Sequence, residues 1–375
     1  MRILFHIALL VSFTTVLAQH KVTFQGQASA IAGYSPDAEL DLLAGARYIP
    51  QINYLYQLDS NNLFDIELSY NLSGNFSTIP LDTSSTQTTV SPYRAWARYY
   101  SKHLEVRAGL QKIDFGSATL LRPLQWFNEI DPRDPLQLTN GVYGVLTKYS
   151  FLNNANIWVW GLYGNLKTRG FDAIETNKTK PEIGGRIQLP TKDGEIALSY
   201  HHRIADASKI LMSDLFTNIS EDRIAIDGKW DKTIGLWFEA SQSIKNQDIG
   251  FLTNQSMLNV GMDYTFGIGN GLNAMGEHLV LAYNSTDFNL DNIANITATT
   301  LSYPLGMFDN LMTIAYYNWQ TEDLAFFINY QHSFNKITGY VMAFYNPATQ
   351  QGIRENDFTN SFSGPGIRLM CVYNH

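Results

Sequence analysis

The run FDIELSYN, residues 64–71, sets Phe64, Ile66, Leu68 and Tyr70 on one face and Asp65, Glu67, Ser69 and Asn71 on the other. A period of two with one apolar and one polar face describes a β-strand between two different surroundings. The pattern recurs along the chain. Within residues 195–203, Ile196, Leu198 and Tyr200 oppose Glu195, Ser199, His201 and Arg203; within 223–230, Ile224, Ile226 and Trp230 oppose Arg223, Asp227 and Lys229. Leu104, Val106, Ala108 and Leu110 oppose Glu105, Arg107 and Gln111, and Ile367, Leu369, Cys371 and Tyr373 turn away from Arg368. Segments of roughly ten residues built this way suit strands with lipid on one side and a wet lumen on the other.

Counting such segments gives about 18 strands, the first near Val22 and the last near Gly364. Residues 337–346 carry aromatics on both faces, which leaves 16 as the alternative count. The connections alternate in length. Residues 101–103, 151–154, 190–193 and 335–336 are tight, whereas 72–91, 111–141, 165–180, 204–221 and 347–363 are long. Short turns at one end and long loops at the other predict an all-β protein, a single transmembrane antiparallel barrel with periplasmic turns and extracellular loops. No repeat of fixed sequence period favours a solenoid.

Composition agrees. Of 375 residues 16% are charged and 13% aromatic, where a soluble domain carries about a quarter charged residues. The net charge of −8 argues against a nucleic-acid partner, and a single cysteine excludes a disulfide framework or a Cys-rich metal site. Met1-Arg2, the apolar stretch from Ile3 to Val11 and the Val16-Leu17-Ala18 site before Gln19 read as a signal peptide over 1–18, with the barrel over 19–375. Strands beginning so soon afterwards leave no room for an N-terminal plug domain. Seven Asn-x-Ser/Thr sequons, at Asn71, Asn75, Asn177, Asn218, Asn254, Asn284 and Asn295, are expected near strand ends on the long-loop side; Asn/Ser/Thr-rich loops produce them by chance.

The longest connection, residues 111–141, reads QKIDFGSATLLRPLQWFNEIDPRDPLQLTNG. Its three prolines and its aromatics predict an ordered segment, with a short helical turn at 124–127 and a rigid turn at 131–135. The elements Arg107-x-Gly109-x-Gln111, Phe115-Gly116, Arg122-Pro123, Phe127-Asn128 and Asp131-Pro132 resemble a segment of large Gram-negative outer-membrane barrels. That group takes in porin-like and polysaccharide-export-like proteins, many of Bacteroidetes-type bacteria. The resemblance covers about 30 residues. It implies a large single-chain barrel in the outer membrane of a Gram-negative bacterium, whose third long loop folds inward and narrows the pore. The C-terminal Tyr373-Asn374-His375 departs from the terminal aromatic residue of such barrels.

Alternation places Asp65, Glu67, Arg94, Arg98 and Arg107 on the lumen side. The arginines are expected to face Asp65, Glu67 and Asp114 across a constriction and so set up a transverse field. Arg122, Asp131, Arg133 and Asp134 complete the predicted constriction set. Pairing between neighbouring strands is the structural alternative for these charges, and Glu182/Arg186 with Arg223/Asp227/Lys229 read as wall-packing pairs. Trp126 and Phe127 are candidate surface platforms, whereas Trp158 and Trp160 are assigned to an interfacial girdle. Turn formation is preferred over calcium binding for Asp131, Asp134 and Asn140. No catalytic or phosphate-binding motif is present. The expected function is a passive channel for small hydrophilic solutes, with no cofactor and with homo-oligomerisation left open. The alternatives are a sealed barrel serving surface polysaccharide binding, export or assembly, and an outer-membrane hydrolase.

Overall fold

The computed structural model describes residues 20–285, 293–347 and 364–375; the signal-peptide assignment and most of the 347–363 connection lie outside them. The strands are β1 (His20–Tyr34), β2 (Leu42–Gln57), β3 (Leu63–Thr78), β4 (Ser84–Tyr100), β5 (Leu104–Gln111), β6 (Val142–Ser150), β7 (Asn156–Leu162), the two-residue β8 (Glu175–Thr176), β9 (Glu182–Thr191) and β10 (Gly194–Asp206). The second half adds β11 (Ile219–Asp231), β12 (Gly235–Lys245), β13 (Asn254–Phe266), β14 (Leu272–Asn284), β15 (Ile293–Pro304), β16 (Asp309–Asn318), β17 (Asp323–Ser333), β18 (Ile337–Asn346) and β19 (Gly364–Asn374). Each pairs antiparallel with its neighbour, β7 passes directly to β9, and β1 closes on β19 from Gln27↔Asn374 to Tyr34↔Ile367. The wall is thus a closed barrel of 18 strands, with β8 a small extension on β10. Closure removes every open sheet edge, the condition for placing strands in lipid.

The period-two reading sorts the wall as expected. Leu198 (55% exposed), Ile224 and Ile367 point outward, while Ser199, His201, Arg223, Asp227 and Arg368 are buried inside. In β18 both faces are apolar because they meet different things. Val341 and Tyr345 point outward, whereas Met342 and Phe344 are buried in a cluster with Leu120 and Leu121 of the 112–141 segment.

Connections at one end are short (58–62, 101–103, 192–193 and 334–336 among them), and at the other end lie 112–141, 163–181 and 207–218. The expected 72–91 loop is corrected: β3 and β4 continue through it and leave only residues 79–83 as a turn. Asn71 and Asn75 consequently lie within β3. A bulge at Ser69/Tyr70 leaves Tyr93 without a ladder partner, beside Pro92, which has no N–H to donate.

Inside the wall, ion pairs lock β9 to β12. Arg186 donates to both oxygens of Asp227 (2.5 and 2.7 Å), and Arg203 and Arg223 both reach Glu221 and Asp172. Glu182 accepts from Arg169 (2.7 Å) and from His201 Nε2 (3.2 Å), while Trp160 Nε1 donates to His201 Nδ1. The expected pairs therefore exist with different partners: Arg186 holds Asp227, and Glu182 holds Arg169. Replacing Arg186 with Ala leaves Asp227 a buried charge without those bonds. A loss of about 3–5 kcal/mol is expected, read as a lower temperature for the heat-induced gel shift of the folded barrel.

Candidate functional site: the in-folded loop and the passage beside it

The 112–141 segment enters the barrel because its sequence is apolar where the wall is apolar and exposes backbone donors where the wall supplies carboxylates. Glu277 of β14 accepts Thr119 N (2.6 Å), Leu120 N (3.0 Å) and Leu121 N (2.6 Å), together with Trp237 Nε1 (3.1 Å). Glu239 of β12 accepts Ala118 N (2.8 Å) and Leu124 N (3.2 Å). Gly116 has φ +96°, and a Cβ there would collide with Glu239 Oε1, so both the backbone conformation and the close approach require glycine. Leu120 and Leu121 belong to one apolar cluster with inward residues of β2 and β13–β19, and Ile113, Phe115, Leu124, Trp126 and Phe127 to another with residues of β6, β7 and β11. Each of these fully buried side chains is worth roughly 2 kcal/mol against exposure, enough to offset ordering of a loop held at both ends.

A second segment, 163–181, covers the long-loop mouth above β9–β14. Asp172 meets Arg203 and Arg223, the Phe171 carbonyl accepts from Gln255 and Tyr283, and Gly170 sits directly against the Gln125 carbonyl. One side of the lumen is therefore packed. Space remains along the other wall. A cavity of about 380 Å³ lies toward the turn end, lined by Gln25, Gln51, Tyr93, Leu138 and His375 among others. A second, of only about 40 Å³, lies beyond it and is lined by Ile31, Arg47, Arg133, Met342, Phe344 and Arg368 among others. Leu136 of the loop borders both.

The charges named from the sequence do not confront one another across this opening. Asp65, Glu67, Arg94, Arg98 and Arg107 share one wall, β3 to β5. Arg98 binds Asp65 on the adjacent strand (2.9 and 2.6 Å), and Arg107 binds Glu105 on its own strand (2.7 Å). Arg94, 7% exposed, donates to Thr139 Oγ1 (2.6 Å) and fastens the loop's far end to β4. Asp114 pairs within the loop with Arg122 (2.5 Å) and Lys112 (2.9 Å). Burial pushes the Asp114 carboxyl up, but Arg122, Asn128 and Lys112 outweigh it and hold the pKa below the usual value.

Asp131 grips Arg133 (Nη2–Oδ2 2.8 Å), and Asp134 accepts Leu136 N and, more distantly, Leu138 N. These bonds make the rigid turn expected at 131–135. At 124–127 the structure shows isolated turns and no helix. Trp126 and Phe127 are buried with Trp160, and Trp158 also faces inward. Neither pair fits its sequence assignment, because the lumen holds the aromatic packing that those assignments placed outside.

Sequence reasoning missed Glu239, Glu277 and Arg47, and it read Arg368 only as the inward partner of an apolar face. All four lie in the inward phase of their strands. What gave them a role is the loop reaching them, which alternation does not encode.

The closed 18-strand architecture is that of outer-membrane porins. Acinetobacter baumannii OccAB1 superposes with a TM-score of 0.58 at 9% identity, covering 95% of this chain and 96% of that one. Pseudomonas aeruginosa OccK5 (OpdH) gives 0.56 at 13%, covering 96% and 98%, and Salmonella typhi OmpF, solved in complex with daunomycin, gives 0.51 at 10%, covering 95% and 98%. No protein-family model matches the chain, and no curated protein matches it in sequence.

Proposed function

We propose that this chain is a porin-like channel of a Gram-negative outer membrane, exported by residues 1–18, through which small hydrophilic solutes diffuse without energy coupling or catalysis. The observation that carries the reading is the pair of cavities meeting at Leu136, beside a loop clamped inside a closed barrel. A Bacteroidetes-type source rests on the 107–132 resemblance alone. Arg133 and Asp134 belong to the constriction proper. Asp65, Glu67, Arg94, Arg98 and Arg107 line the wall beside it, and Asp114, Arg122 and Asp131 hold the loop in shape.

The test is single-channel recording of the purified protein in a planar bilayer, with reversal potential under a salt gradient. Discrete, steady steps are expected. Silence from a folded, heat-modifiable barrel would transfer the reading to a sealed surface protein.

The reversal potential also carries a pH prediction. Burial raises the Asp134 pKa, against the Leu136 and Leu138 N–H groups and Arg47, which lower it. As pH falls through that raised value, the passage loses a negative charge before ordinary carboxylates titrate. Selectivity is expected to move toward anions above the usual aspartate range, and Asp134→Asn should abolish that step.

A further inference from the structure

We propose that the 380 Å³ cavity is a binding site for a neutral, polyhydroxylated solute the size of a sugar ring, held by the amides of Gln25, Gln27, Gln51 and Asn374 and by the Tyr93 side chain. Its part in passage rests on the channel reading above; the binding itself does not.

The bulge in β4 builds the site. Ser69 pairs with Arg94 and Tyr70 with Pro92, so Tyr93 is the extra residue. Strict alternation would turn Tyr93 to the lipid, next to inward Arg94. The bulge brings both to the lumen, where Tyr93 lines the cavity and the Arg94 guanidinium lies 4.1 Å from its ring centroid. Arg94 is itself fastened to Thr139, so the ring is backed by a side chain already held in place. Gln25 pairs with Gln51 and Gln51 with Ser69, which sets both glutamines at the level of the bulge on β1 and β2. Gln27, the next inward place along β1, is level with Asn374 of β19.

The lining sets the chemistry of the ligand. No Asp, Glu, Lys or Arg side chain borders the cavity, and His375 has its Nε2 engaged with the Tyr48 hydroxyl (3.0 Å). A charged solute would shed water there without meeting an opposite charge. An amide offers N–H donors and a carbonyl acceptor together, which suits a hydroxyl that both donates and accepts. Much of that capacity is uncommitted. Gln51 Nε2 donates to Asn53 Oδ1 (2.8 Å) and leaves its own carbonyl; Gln27 Nε2 donates to Asn374 Oδ1 (3.2 Å) and leaves the Asn374 N–H groups. The Gln25 amide and the Tyr93 hydroxyl bond to none of the described residues. Ile49, with Leu136 and Leu138 of the in-folded loop, adds apolar surface for the C–H face of a pyranose. The volume falls within the range of small-molecule sites, about 300–1,000 Å³.

The experiment uses the full-length protein in detergent at pH 8, with binding read by saturation-transfer NMR. The probes share one ring: methyl α-glucoside, its 6-carboxylate and its 6-ammonium analogue. The neutral glucoside is expected to bind about tenfold more tightly than either charged form. Tyr93→Ala and Gln51→Leu should each weaken it severalfold, in protein that still shows the folded-barrel gel shift. Gln25→Glu, a change on an exposed lumen side chain, should turn the preference toward the ammonium analogue. That reversal decides the matter even if the other two variants fail to fold, and an unchanged preference in Gln25→Glu overturns the site. Equal binding of the three probes by the parent protein, or none, overturns it too, while leaving any conductance in bilayers intact. Selective binding by a barrel that conducts nothing upholds the site and removes the channel reading instead.

Discussion

Deleting residues 117–135 should raise single-channel conductance severalfold. The segment supplies Leu120, Leu121, Leu124, Trp126 and Phe127 to the packed half of the lumen, together with the backbone donors bound by Glu239 and Glu277. None of these residues belongs to a wall strand. The ladders β5–β6 and β1–β19 remain, so closure persists, and a barrel of this strand number is wide enough for an aqueous lumen once emptied. Loss of Arg133 and Asp134 also removes two polar side chains that line the cavity beside Leu136. Unchanged conductance from a folded deletion variant would mean that the loop does not limit flow.

The second large effect concerns the clamp. Glu277→Ala strips the acceptor from Thr119, Leu120 and Leu121 N–H and from the Trp237 indole, in a place where the glutamate is 2% exposed. A buried donor left unpaired costs about 1–3 kcal/mol, although the freed segment can relax, so a net loosening on the order of 3 kcal/mol is expected. The readouts are open-channel current noise and protease cutting within 117–124, both of which should rise. Glu277→Gln should fall between, because its amide group keeps one acceptor oxygen and turns N–H toward donors. A Glu277→Ala channel as quiet as the parent would show that Leu120 and Leu121 hold the segment by packing alone.

The wall was legible in the sequence because each strand separates an apolar from a polar face, as at 64–71 and 195–203. The lumen was legible only in part. In-folded segments bury residues that alternation assigns to water, so Trp158, Trp160, Met342 and Phe344 read as lipid-facing or ambiguous when they pack inward. The charges at Asp65, Arg98 and Arg107 were placed on the correct face, but alternation says nothing about the distance across a barrel. Pairing within one wall was the outcome for Asp65 and Arg98. The 72–91 stretch, rich in Ser and Thr, lacks the apolar face that marks a strand, yet it extends the β3–β4 ladder as far as Thr78↔Ser84.

The doubly apolar β18 also bears on the order of biogenesis. Its inner side chains find their cover in a segment some two hundred residues earlier in the chain. A barrel zipped shut before that segment arrived would trap water against Met342 and Phe344. A β18 waiting alone would present two greasy faces to any holdase or neighbouring chain. The economical route is for the early hairpins to fold with their loop already tucked in, and for the last strands to be laid over it as β19 meets β1.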